Sequence, residues 1–292
     1  MEVLITGATG IIGKKLIESI RPFGHSISVF VREKERERIQ YSSVRMVTGN
    51  LLDTSGIDKA TENIHTIIHL AGITHTNNIK LYYSINTKGT KNLLESCEKN
   101  GVKRFIYISS RTASADGGAY AHSKLLAEEE VKKSRLDWVI LRPAEVYGAG
   151  GKDAIAKLVK TIRKGKFIPI VGNGSYLLCP VHIEDVIYAI IKAIEKPQSI
   201  RKTYVIGGPD EYSLDEIVDI ISKQLNIYKI KVYIPVFIVQ MLAYIFSLCK
   251  KDFIVRDQVP RLLCKKSADI NPARKDFGFS PMPFTRGIKT IL

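Results

Sequence analysis

Tyr120 and Lys124 stand four residues apart, the separation that puts two side chains on one face of a helix. Ser109 and Ser110 close an apolar run a short distance upstream. A phenol of pKa about 10 is a poor base at neutral pH, and a neighbouring ammonium brings its phenolate form into working range. Lys124 is the expected source of that charge and Tyr120 the expected acid or base. Ser110 is expected to hydrogen-bond a hydroxyl or carbonyl oxygen of a substrate. A tyrosine four residues before a lysine is also common on helix surfaces, so the elements around the pair decide its meaning.

Those elements begin at the first residue. Val3 to Ile5 reads as a buried strand that breaks into Thr6-Gly7-Ala8-Thr9-Gly10-Ile11-Ile12-Gly13 and then an amphipathic helix, Ile11 to Ile20. In such a turn one glycine permits the bend, one lets a pyrophosphate reach the backbone, and one lets helix and strand pack closely. The helix N-terminus adds free N–H groups and the positive end of its dipole. The pattern predicts a dinucleotide site, and with it hydride transfer at a nicotinamide while Tyr120 takes or gives the proton.

Further strands are expected at Ser26–Val31, Val44–Thr48, Thr66–Leu70, Arg104–Ile108, Trp138–Leu141 and Thr203–Ile206. Helical stretches are expected at about Lys80–Lys99, Tyr120–Ser134, Ala154–Lys164 and Ile183–Ile194. Alternation at this pace predicts an α/β fold, a doubly wound parallel Rossmann sheet. The rhythm changes after the glycine run 148–151. Residues 1–165, with 181–206 returning, are read as the nucleotide-binding domain. Residues 166–180 and 207–292 are read as a smaller, mostly helical substrate lobe containing a short strand at Phe167–Val171.

Bulk properties exclude several classes. The 292 residues carry 44 Lys and Arg against 29 Asp and Glu, a formal charge of +15. Those cations are spread along the chain and no nucleic-acid module accompanies them, so general surface basicity is the reading and nucleic acid is not an expected partner. The four cysteines form no close pair, which fits a reducing cytoplasm and argues against a metal site. Met1 lies almost inside the first strand, so no leader peptide is expected. One segment stands apart: residues 232–249 carry no charge and are flanked by Lys229, Lys231, Lys250 and Lys251. A buried helix is the first reading, because Pro235 and Gln240 interrupt a span, and a helix lying on a membrane surface is the second.

The chain resembles the short-chain dehydrogenase/reductases, in their extended and atypical branch of NAD-dependent epimerases, dehydratases and reductases. The resemblance rests on the glycine turn, Asn50-Leu51-Leu52-Asp53, His69-Leu70-Ala71-Gly72, Asn86 through Leu94, Tyr107-Ile108-Ser109-Ser110 and Tyr120 with Lys124. Leu141-Arg142-Pro143 through Val146-Tyr147-Gly148 and Val181-His182-Ile183-Glu184-Asp185-Val186 complete it. It implies that Gly7, Thr9, Gly10, Ile11, Ile12, Gly13, Asn50, Leu51, Leu52, Leu70, Ala71, Gly72, Ser109, Pro143 and Val146 contact the dinucleotide. Asp53 would meet the adenine amino group, Asn86 would help order the active site, and Lys124 would also hold the cofactor ribose. It further implies a homodimer face on the helices around 80–99 and 120–134.

Four departures narrow the expectation. Arg111-Thr112 replaces the acidic pair that nucleotide-sugar dehydratases carry, so a 4,6-dehydratase is not expected. Arg32, near Lys34 and Arg36, occupies the end of the second strand where NAD-preferring members place an acid, and a guanidinium suits a 2′-phosphate. NADP(H) is therefore expected over NAD(H). The segment between Ser110 and Tyr120 is short, and Leu178 falls where nucleotide-sugar epimerases carry a diphosphate-gripping arginine. The second weakens the nucleotide-sugar assignment, and the short segment with Pro180-Val181-His182-Ile183-Glu184-Asp185-Val186 resembles the branch that includes the NADPH-binding accessory subunit of respiratory complex I. The expected function is NAD(P)-dependent reduction or epimerisation at a secondary alcohol or ketone of a small, sugar-nucleotide-like substrate. A non-catalytic NADP(H)-binding assembly protein, cytoplasmic or at a membrane, is the alternative.

Overall fold

The computed structural model describes residues 1–41, 43–148, 153–248 and 255–292. Residues 149–151 of the glycine run, and Cys249 at the end of the uncharged segment, lie outside them. Six strands appear in chain order: β1 (Glu2–Thr6), β2 (Ser26–Val31), β3 (Val44–Thr48), β4 (Thr66–His69), β5 (Arg104–Ile108) and β6 (Asp137–Pro143). With Lys202–Ile206 they form one parallel sheet in the order Lys202–Ile206, β6, β5, β4, β1, β2, β3. The chain runs outward from β1 to β3, then crosses back to β4. The order therefore reverses between β1 and β4, the place where open α/β sheets bind ligands.

Alternate strand residues supply the two faces. Val3, Ile5, Val29, Ile68, Ile106 and Val139 pack on one side, against Leu16 and Ile17 of the Ile11–Ile20 helix and Val186 and Ile190 of the Ile183–Glu195 helix. Leu4, Phe30, Ile67, Phe105 and Ile140 pack on the other, against Ile57, Leu93, Cys97, Ala127 and Val131. A third apolar cluster joins Ile155, Val159 and Ile162 of the Ala154–Lys164 helix to Ile168, Ile170, Ile217, Ile221, Phe284 and Ile288. Ile270, Ala273 and Phe277, late in the chain, pack with the main sheet instead.

Two elements differ from expectation. The helical stretch expected at 80–99 is a short turn (Ile79–Leu81), a π-helical segment (Tyr82–Lys88) and an α-helix (Gly89–Lys99). The later part of the chain also contains a strand, Ile230–Ile234, paired in parallel with Phe167–Val171. Its alternating residues find a partner only once the chain folds back on residue 167. Among the described residues no helix is long and apolar enough to cross a membrane, and no group of His, Cys, Asp or Glu could hold a metal ion.

Candidate active site

At the sheet's point of reversal lies a cavity of about 330 Å³ lined by Gly7, Thr9 and Gly10, by Arg32, by Asn50 and Leu51, and by Leu70, Ala71 and Gly72. These nine positions are among those expected to touch a dinucleotide. The glycines are forced by space. Gly7 has φ +73, and a Cβ there would sit 2.6 Å from the Ala71 nitrogen; at Gly13 it would sit 2.5 Å from the Gly7 oxygen. Gly10 caps the Ile11–Ile20 helix without a side-chain bond, so the first N–H groups, those of Ile11 and Ile12 among them, keep no capping partner. A cradle that side chains would fill, ending in a helix N-terminus, fits the pyrophosphate of a dinucleotide.

Beside Arg32 the lining also holds charged residues that no motif marked, Glu35 and Arg38. The Glu35 carboxylate accepts from Arg32 Nη2 at 2.7 Å and Nε at 3.1 Å, from Arg38 Nη1 at 3.2 Å and from Thr9 Oγ1 at 3.3 Å. The Arg32 guanidinium, with Arg38, holds that carboxyl below its usual range against the opposing effect of burial. Asp53 and Leu52 lie outside the lining. Asp53 Oδ1 instead accepts from the Ser55 amide at 3.1 Å and hydroxyl at 2.8 Å, capping the Thr54–Thr61 helix.

Tyr120 and Lys124 are both buried on the Gly118–Lys133 helix. Asn86, in the π-helical segment, links this helix to the cavity wall. Its amide accepts from Ile73 N at 2.8 Å and donates to Ile73 O and to Ser123 Oγ, each at 3.0 Å. Ser123 Oγ in turn donates to the Tyr120 carbonyl at 2.8 Å. Widened helical turns recur at functional sites, and here the widening serves a buried amide.

Lys124 Nζ donates to the Ile108 carbonyl at 2.8 Å and stands 4.2 Å from the centre of the Tyr107 ring. Burial pushes its pKa down to about 7, opposed by the nearby Glu128 carboxylate. The cation over Tyr120 is Arg261, whose guanidinium carbon lies 4.7 Å from the ring centre and whose Nη1 donates to Thr74 O at 3.1 Å. Burial raises the Tyr120 phenol; Arg261 and a hydrogen bond from Ser110 pull it back. The Asp257 carboxylate accepts from the Tyr120 amide with both oxygens, at 3.2 and 3.3 Å. Arg261 and Asp257 carry no local motif, and only the fold brings them here.

The two serines divide. Ser109 Oγ donates to the buried Glu128 at 2.5 Å, and Arg142 grips the same carboxylate with Nε at 2.8 Å and Nη2 at 2.6 Å. Ser109 thus helps anchor the helix to β5 and β6. Ser110 Oγ lies 2.9 Å from Thr112 Oγ1. Pro143 accepts from the Arg111 amide at 2.9 Å, and Val146 pairs with Val181. Arg111 is buried, with Nη1 on Glu211 at 2.9 Å and Nη2 on Glu145 at 3.1 Å. His69 is also interior, bridging Thr6 and Thr90 through its two ring nitrogens.

Residues 3–207 match the NAD dependent epimerase/dehydratase family. The chain belongs to that family. The UDP-glucose 4-epimerase of Vibrio cholerae is 25% identical, the alignment covering 96% of this chain and 90% of that protein. The 3beta-hydroxysteroid-dehydrogenase/decarboxylase isoform 2 of Arabidopsis thaliana is also 25% identical over 88% of this chain, which spans about half of it, 53%. UDP-glucuronic acid 4-epimerase from Bacillus cereus, solved with UDP-glucuronic acid and NAD, superposes with a TM-score of 0.78 at 22% identity, over 99% of this chain and 97% of that one. At that identity the likeness establishes the fold.

Proposed function

We propose that this protein is an oxidoreductase that moves hydride at a secondary alcohol or ketone of a sugar-nucleotide-like substrate, with Tyr120 as the acid–base group. The cofactor in this reading is a nicotinamide dinucleotide, NADP(H) in preference to NAD(H). One observation carries it: Tyr120, Ser110 and Lys124 gather at the carboxyl end of β5, and Asn86 ties their helix to the wall of the glycine-built cavity.

Gly7, Gly10 and the first turn of the Ile11–Ile20 helix would hold the pyrophosphate, and Arg32 with Arg38 a 2′-phosphate. When bound, the nicotinamide supplies the hydride donor or acceptor. Tyr120 moves the proton at the substrate oxygen, and Ser110 hydrogen-bonds that oxygen. Lys124, buried and with its ammonium on a carbonyl, offers a donor to a ribose hydroxyl. Arg111 stands where dehydratases carry an acid, and it is held between Glu145 and Glu211, which supports redox chemistry without water elimination. The coverage of a UDP-glucose 4-epimerase along nearly its whole length supports the sugar-nucleotide side.

The test is Tyr120→Phe, assayed with UDP-glucose, UDP-glucuronic acid and a 3β-hydroxysterol, alongside NADPH titration by fluorescence. Loss of general acid–base catalysis should lower turnover by roughly 10²–10⁴ while leaving NADPH affinity unchanged. Turnover that survives the substitution would remove Tyr120 from the mechanism. A chain that binds NADPH and turns over none of the three would instead favour a cofactor-binding assembly protein.

A further inference from the structure

The Val236–Leu248 helix, VFIVQMLAYIFSL, has only Gln240 and Ser247 as polar residues with hydrogen-bonding side chains apart from the Tyr244 hydroxyl. A helix apolar on all sides belongs inside a protein or in lipid. Here only a narrow face is inside: Val239 and Ala243, one turn apart, are buried. Phe237 is 67% exposed and Met241 53%, with Leu242 and Ile245 exposed beside them.

Pro235 joins this helix directly to the strand Ile230–Ile234 of the two-stranded sheet, which carries exposed apolar residues of its own. In its parallel register Phe167 stands beside Ile230 and Pro169 beside Val232. Paired residues of a parallel ladder share a face, and all four of these are exposed, while Ile168 and Ile170 between them are buried. An outward apolar face of this extent marks an interaction surface. Its edge is basic. Exposed Lys164 and Lys166 lead into Phe167, and Lys229, whose Nζ donates to Gly165 O at 2.7 Å, leads into Ile230. Lys231 is the exception, its charge paired with Asp215 and Asp219.

We infer that this face, from Phe167 and Ile230 to Ile245, seats the protein on an anionic lipid bilayer. Three observations choose lipid over another occupant. The 13 described helical residues extend about 20 Å, and an apolar helical face of that length suits lying in a bilayer surface. Tyr228, 90% exposed, stands beside Lys229 where the basic edge meets Ile230, and an amphipathic ring there favours a bilayer interface. A second copy would bring like charge against like, because each chain carries a net +15, whereas anionic headgroups attract each basic residue near the surface. The face lies apart from the cofactor cavity, so its test does not depend on the catalytic reading.

The experiment is flotation of the full chain with phosphatidylcholine vesicles that contain or lack phosphatidylglycerol, at low and at physiological salt. Binding should require phosphatidylglycerol and weaken with salt. Phe237→Glu with Met241→Glu should cut the bound fraction at least ~10-fold, since both exposed apolar side chains would then carry charge into the bilayer. Far-UV circular dichroism and thermal unfolding of the double variant check that it is folded. The conservative Phe237→Trp gives an independent reading, a blue-shifted emission on vesicle addition. Absence of binding and of the shift would overturn the inference. So would a dimer in sedimentation that the double variant disperses, which would assign the face to a second copy.

Discussion

Arg32 and Arg38 share one carboxylate, and that sharing decides how a cofactor phosphate would be received. Glu35 neutralises half of the pair's charge and also fixes both guanidiniums at the cavity rim. A 2′-phosphate would compete with Glu35 for donors already aimed at the cavity. Arg32→Ala should therefore weaken NADPH roughly tenfold or more, the scale of a hydrogen bond to a charged group, and NADH little; Glu35→Gln should strengthen NADPH. Isothermal titration of both cofactors reads the difference, and equal losses for the two would refute the NADP preference. At this scale much of the site was legible. Nine cavity-lining positions follow from the glycine turn and the strand-end motifs, because those motifs are local. Glu35 stood three residues beyond Arg32 and could have been found from the helical spacing of opposite charges. Asp53 was legible as a chemically apt residue, but not as the cap of its own helix.

Among the elements, the strands are readable because buried parallel strands announce themselves as short apolar runs. The π-helical segment does not announce itself. Within it the buried Asn86 amide meets Ile73 and Ser123 together, contacts set by tertiary packing and not by any local pattern. The tie between β1 and β4 is of the same kind and has a measurable consequence. His69 is fully buried between Thr6 and Thr90, and burial, with Lys124 nearby, pushes its pKa down to about 3. The folded chain keeps this ring neutral, while the unfolded chain takes up a proton below about 6.5. Its contribution to stability is thus intact above that pH and is lost as pH falls toward 3. From pH ~7 to pH ~5 the loss is about 2 kcal/mol. Urea unfolding at both values should show it, and His69→Gln should flatten the dependence. Equal slopes in the two proteins would mean that His69 is not the group responsible.

At the scale of the whole molecule, the last part of the chain completes a site that the first part begins. Asp257 receives the Tyr120 amide, and Gly118, at φ +88, has no room for a Cβ beside that carboxylate. Arg261 stands a turn further along, over the Tyr120 ring. No pattern in the sequence links residues so far apart, which is why Arg261 was not legible beside Lys124. The two cations are placed differently: Lys124 donates to a backbone carbonyl, while Arg261 offsets the burial that makes phenolate costly. Removing the guanidinium should therefore raise the Tyr120 pKa further. For alcohol oxidation, where phenolate is the active form, Arg261→Gln should move the rising limb of the pH–rate profile to higher pH. Below the optimum it should lower the rate roughly 2- to 30-fold, the range of a cation over an aromatic face at ~0.5–2 kcal/mol. Arg261→Lys should restore part of both effects. A rate loss that is uniform across pH would instead show that Arg261 only holds the Gln258–Leu263 helix in place, and the tuning of Tyr120 would then have to come from Lys124 once the cofactor has turned it.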